Sequence, residues 1–105
     1  MKMKLLCAIG VAILLYSAHA TANDVAGGET IYQSVCKNCH GPTAKGMASF
    51  PKLAGQPADY LETRLKQYRA GEKVGFNTAL MRPLAAELTD EDIKNIAAYI
   101  SSTFD

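Results

Sequence analysis

Cys36-Lys37-Asn38-Cys39-His40 is the stretch that decides how this chain of 105 residues is read. Its spacing, C-x-x-C-H, is that of a c-type haem attachment site. Two thiols separated by two residues sit along one edge of a porphyrin and add across its vinyl groups as thioethers. The adjacent histidine then lies under the iron. A thioredoxin-like C-x-x-C would need a preceding strand and a βαβ unit, and the flanks here show no alternating β pattern. A structural zinc site needs four ligands. The chain has three cysteines and two histidines, and Cys7 and His19 both fall in an N-terminal export segment. A disulfide between Cys36 and Cys39 would close a very small loop and stabilise little.

Residues 1–20 have the layout of a cleaved signal peptide. Lys2 and Lys4 form the basic start, and Leu5 to Tyr16 form a short apolar run. Ala18-His19-Ala20 is a small-x-small cleavage site, with Ala20-Thr21-Ala22 as the alternative that would cut after residue 22. The run is short for a membrane span, which takes about 20 apolar residues. Membrane association is therefore expected only if the segment stays uncleaved. The expected location is the periplasm. Cleavage after Ala20 leaves residues 21–105, one small domain with nine Lys and Arg against ten Asp and Glu. That balance excludes a basic nucleic-acid binder. A core this small supplies only about 3–5 kcal/mol without a staple, and a buried haem would serve as one.

The remaining pattern is all-α. Asp24 is placed to cap a first helix running toward Val35. Residues 41–56 hold three glycines and two prolines and read as a loop. A second helix is expected from about Pro57, with Leu61, Leu65 and Tyr68 as its stripe and Gly71 as its stop. Residues 72–83 read as a further loop. Thr89-Asp90-Glu91-Asp92 has the form of a capping box, and Ile93, Ile96, Ala97 and Ile100 follow at i, i+3, i+4, i+7. Short helices joined by long loops suit a chain wrapped around a ligand. One C-x-x-C-H and no internal repeat imply one haem.

His40 is the only histidine of residues 21–105, so a second axial ligand must be of another kind. A methionine thioether suits low-spin iron and raises its potential. Met47 is seven residues from His40, a span of at most about 23–25 Å, barely enough to round the macrocycle. Met81 is far enough along the chain to reach the opposite face, and it is the expected ligand. Met47, a lysine or an open position are the alternatives, and core filler is the ordinary role of a methionine.

With these residues identified, the chain resembles class I c-type cytochromes, above all the small cytochrome c-553 group and one half of the two-domain cytochrome c4 type. Beyond C-x-x-C-H, the resemblance lies in Phe50-Pro51-Lys52-Leu53-Ala54-Gly55-Gln56, in Tyr60-Leu61 through Tyr68-Arg69-Ala70-Gly71, and in Met81, Leu88-Thr89-Asp90 and Ala97-Ala98-Tyr99. It covers essentially all of residues 21–105. It implies the class I cytochrome c fold around one haem c, bound through Cys36 and Cys39 and ligated by His40 and Met81. It also implies that the Pro51 carbonyl accepts the other ring N–H of His40 and that Leu53 packs on the haem. Gly28 and Tyr32 would meet Ile96 and Tyr99 where the first and last helices cross. Two features depart from the wider family: there is no tryptophan, and there is no lysine excess for docking acidic partners.

The implied function is a periplasmic electron carrier, not an enzyme, that docks transiently with donor and acceptor proteins. The alternative is a dedicated haem subunit of a larger oxidoreductase complex. A ligand sensor with an exchangeable methionine and a haem-free thiol oxidoreductase are more distant readings.

Overall fold

A computed structural model of the chain describes Gly10 and residues 23–105. The expected signal peptide, with both of its cleavage sites, otherwise lies outside the described residues. Among the described residues there are five α-helices and no strand, only an isolated bridge between Met47 and Phe50. No helix among them is long and apolar enough to cross a membrane.

The first run of helical backbone is compound. Helix α1, Val25–Ile31, starts where the Asp24 carboxylate accepts the Gly27 N–H at 2.9 Å. It passes into a π-helical turn, Tyr32–Cys36, and then into the single turn of α2, Lys37–His40. A π turn inserts an extra residue and is common at functional positions; here it delivers the C-x-x-C-H segment. Gly41 ends the run with φ +88. Helix α3, Ala58–Ala70, follows an extended Pro57 and stops at Gly71 in the left-handed region, φ +82. Helix α5, Asp90–Thr103, opens on the complete Thr89/Asp92 capping box.

One stretch differs from the sequence reading. The sequence reads as a loop over residues 72–83, yet Thr78–Ala86 forms helix α4, and Met81 stands within that helix rather than in a loop. The Thr78 hydroxyl explains the start. It accepts the N–H groups of Val74 and Gly75 at 3.0 and 2.8 Å and donates to the Gly75 carbonyl at 2.7 Å, closing the turn that leads in. Ala79, Leu80 and Met81 then favour helix. Pro83 removes one intrahelical donor, and the helix ends three residues after it.

The core lies where α1 crosses α5. Gly28 and Tyr32 meet Asn95, Ile96 and Tyr99 there, and Phe104 closes the group. The rings of Tyr32, Tyr99 and Phe104 stand 5.5 to 5.6 Å apart, centre to centre, the spacing of favourable tilted pairs. Asn95, also buried, accepts the Asp24 N–H at 2.9 Å and ties the start of α1 to α5. Helix α3 packs on both α4 and α5. Arg69 joins its end to the start of α5 through the Leu88 carbonyl and the Asp90 carboxylate.

Candidate functional site

A cavity of about 500 Å³ opens between the C-x-x-C-H segment, the loop after it, and helices α3, α4 and α5. Cys36, Cys39, His40, Pro51, Leu53 and Met81 all line it. Met47 does not; it is 48% exposed. The structure thus brings together every residue singled out for the site and leaves out the rival methionine.

The loop of residues 41–54 places Pro51 against His40. It reverses through Ala44 and Gly46, both with positive φ, +57 and +78. The buried Ala44 carbonyl accepts the N–H groups of Leu53 and Ala54 at 2.8 and 2.9 Å, pulling the far end of the loop back. Gly46 donates to the His40 carbonyl at 2.8 Å. A Cβ on Gly46 would overlap the Phe50 carbonyl oxygen, so the close approach needs glycine. His40 Nδ1 then lies 2.8 Å from the Pro51 carbonyl oxygen. A carbonyl can only accept, so the hydrogen bond puts a proton on Nδ1 and leaves Nε2 as the ring nitrogen facing the cavity side for ligation. A second hold comes from α1: the buried Tyr32 hydroxyl donates to the Gly41 carbonyl at 2.6 Å. The sequence carried no signal for this hold beyond an aromatic at position 32.

Cys36 and Cys39 form no disulfide with each other, and both are half-buried. Burial pushes the Cys36 thiol up to about 11. A thiol–disulfide exchange site needs a depressed thiol, so this environment speaks against that rival. Among the described residues no three His, Cys, Asp or Glu side chains gather into a metal-ion site.

The wall itself tests the fit to haem. Phe76 is 96% exposed, and Leu80, Leu84 and Tyr60 are exposed too, yet all four line the cavity. Among the described residues, the largest fully buried side chains are Tyr32, Ile93 and Ile96. The four wall side chains therefore face the cavity rather than the core, a sign of a binding surface. A large flat apolar group would cover that wall, and a cavity of this size is within the usual range for ligand sites.

The family model for cytochrome c matches residues 25–104. The chain belongs to the cytochrome c family. Cytochrome c-554(548) of Halomonas halodenitrificans is 50% identical over 82 residues, which cover 77% of this cytochrome c chain and 98% of that protein. The thiosulfate dehydrogenase electron acceptor of Stutzerimonas stutzeri is 38% identical over 100 residues, covering 89% of this chain and 45% of the other. Among solved structures, reduced recombinant cytochrome c4 from Pseudomonas stutzeri matches with a TM-score of 0.69 at 31% identity, covering 77% of this chain and 48% of that one. The chain thus spans about half the length of the latter two. The fold is that of class I cytochromes c, whose members are electron carriers with covalently bound haem c.

Proposed function

We propose that residues 21–105 are the mature form of a periplasmic one-electron carrier with a single haem c ligated by His40 and Met81. The observation that carries this reading is the convergence of Cys36, Cys39, His40 and Met81 on one apolar cavity, with His40 Nδ1 already engaged by Pro51. Haem c, when bound, supplies an iron couple that exchanges one electron.

The side chains of the chain have distinct tasks toward it. Cys36 and Cys39 would hold the porphyrin edge through two thioethers. His40 would offer Nε2 to the iron, and its hydrogen bond to Pro51 orients the ring and raises its basicity. Met81, from α4, offers the other donor; a thioether favours the reduced metal and raises the potential. Leu53, Leu61, Leu65 and Ile96 exclude water. With His40 and Met81 both engaged, a haem held here would be closed to substrate and would supply electron exchange alone. The donor and acceptor are proteins that dock transiently.

The test is a potentiometric titration of the protein purified from the periplasmic fraction, followed by its visible spectrum and native mass. The expected result is a reversible one-electron couple in a protein with an N-terminus at Thr21 or Asn23 that is not bound to a larger oxidoreductase. A cytoplasmic protein, or one without a reversible one-electron couple, would contradict the proposal.

A further inference from the structure

Asn77 stands immediately before α4 and holds two parts of the chain at once. Its backbone carbonyl accepts the N–H groups of Leu80 and Met81 at 3.0 and 3.3 Å. Its side-chain Nδ2 reaches 28 residues back along the chain. There it donates to the Ser49 hydroxyl at 2.8 Å and to the Ser49 carbonyl at 3.2 Å. Asparagine is among the best helix N-caps, yet this side chain makes no capping bond to α4. Thr78 closes the lead-in turn instead. Ser49 lies two residues before Pro51, whose carbonyl holds His40 Nδ1. Among the described residues, the two bonds from Asn77 are the only hydrogen bonds between residues 41–54 and residues 72–88. Ser49 and Asn77 both line the cavity.

One side chain thus ties the segment that carries Met81 to the segment that orients His40. We infer that Asn77 is a positioning residue for Met81: its clasp on Ser49 holds the start of α4 at the cavity and keeps the thioether in place. This rests on the haem reading above. Helix α4 has few other anchors of its own. Only Thr78 and Ala85 are buried in it, and Pro83 removes an intrahelical donor. An element with so few buried contacts opens locally at low cost. Such an opening carries Met81 with it, because the Met81 N–H hangs from the Asn77 carbonyl. An outside ligand can take the place of Met81 only in the opened state, so its apparent affinity scales with the population of that state. Each hydrogen bond of the clasp should lower that population by about 2- to 10-fold.

The experiment titrates the ferric holoprotein with free imidazole and follows loss of the far-red methionine–Fe(III) band. Amide hydrogen exchange of Leu80 and Met81 is measured beside it. Asn77→Ala is expected to bind imidazole about tenfold more tightly than the wild type and to exchange both amides faster by a similar factor. Serine caps a helix as well as asparagine does, but its side chain is too short to reach Ser49. Asn77→Ser should therefore behave like Asn77→Ala. Ser49→Ala keeps the carbonyl acceptor and should tighten imidazole binding by only about threefold. Ser49→Thr keeps both acceptors and should match the wild type. Wild-type affinity and exchange in Asn77→Ala would overturn the assignment. So would an Asn77→Ser variant that matches the wild type while Asn77→Ala does not, since that pattern marks a helix cap and nothing more. A wild-type holoprotein without the methionine–Fe(III) band would instead sink the Met81 ligation on which the clasp rests, and its spectrum shows this before any variant is made.

Discussion

Gly28 lies so tightly against Asn95 that a Cβ on the glycine would overlap the Asn95 carbonyl oxygen. The obstacle is backbone of α5 rather than a side-chain tip, so it cannot swing aside. Gly28→Ala must therefore push α1 and α5 apart at the crossing that holds the core. Overpacking of this kind costs about 1–3 kcal/mol, against which the helix-propensity gain of alanine, about 1 kcal/mol, is the smaller term. Thermal unfolding is expected to show a clearly lower melting temperature with an unchanged visible spectrum in the folded fraction. A variant that melts with the wild type would remove the crossing from the account.

Tyr32 links stability to alkaline pH. Burial, with Cys36 and Tyr99 adding to it, pushes its phenol from 10.0 up to about 12; the burial component persists once Cys36 is a thioether. The folded state holds this proton more tightly than the unfolded chain does. The resulting stability is complete below pH 10 and is lost as pH rises from there through about 12. Tyr32→Phe should be less stable at neutral pH by about 0.5–1.5 kcal/mol, because the Gly41 carbonyl loses its donor. Its denaturant midpoint should then fall less steeply than the wild type's across the alkaline window. Parallel curves would show that the phenol does not contribute.

Met81 and Met47 separate cleanly. Met81→Ala is expected to abolish the far-red charge-transfer band of a methionine–Fe(III) bond, lower the potential and open the iron to carbon monoxide. Met47→Ala, at an exposed position away from the cavity, should leave all three unchanged. The reverse pattern would move the axial ligand to the other methionine.

Where the local chemistry is self-contained, the sequence was a sufficient guide. Thr89 and Asp92 cap α5 because both partners lie within four residues, and Gly71 ends α3 because a left-handed stop favours glycine. The C-x-x-C-H segment announces its chemistry through spacing alone. Helix α4 was hidden because Gly75, Asn77 and Pro83 are ordinary breakers; the Thr78 hydroxyl that reorganises them has no sequence signature. The contact of Pro51 with His40 could not be read from spacing either and was implied only by family resemblance. It depends on the reversal at Ala44, a buried non-glycine with positive φ, which nothing in the residue type announces.

The central claim is that Cys36 and Cys39 carry a haem through covalent bonds, and intact mass tests it most directly. The protein from the periplasmic fraction is extracted with acidified acetone and then weighed. The account predicts that the pigment stays with the polypeptide, whose mass exceeds that of the chain from Thr21 or Asn23 by one haem, and that Cys36→Ser or Cys39→Ser abolishes most of the mature holoprotein. A bare polypeptide mass, with the colour in the acetone, would contradict it.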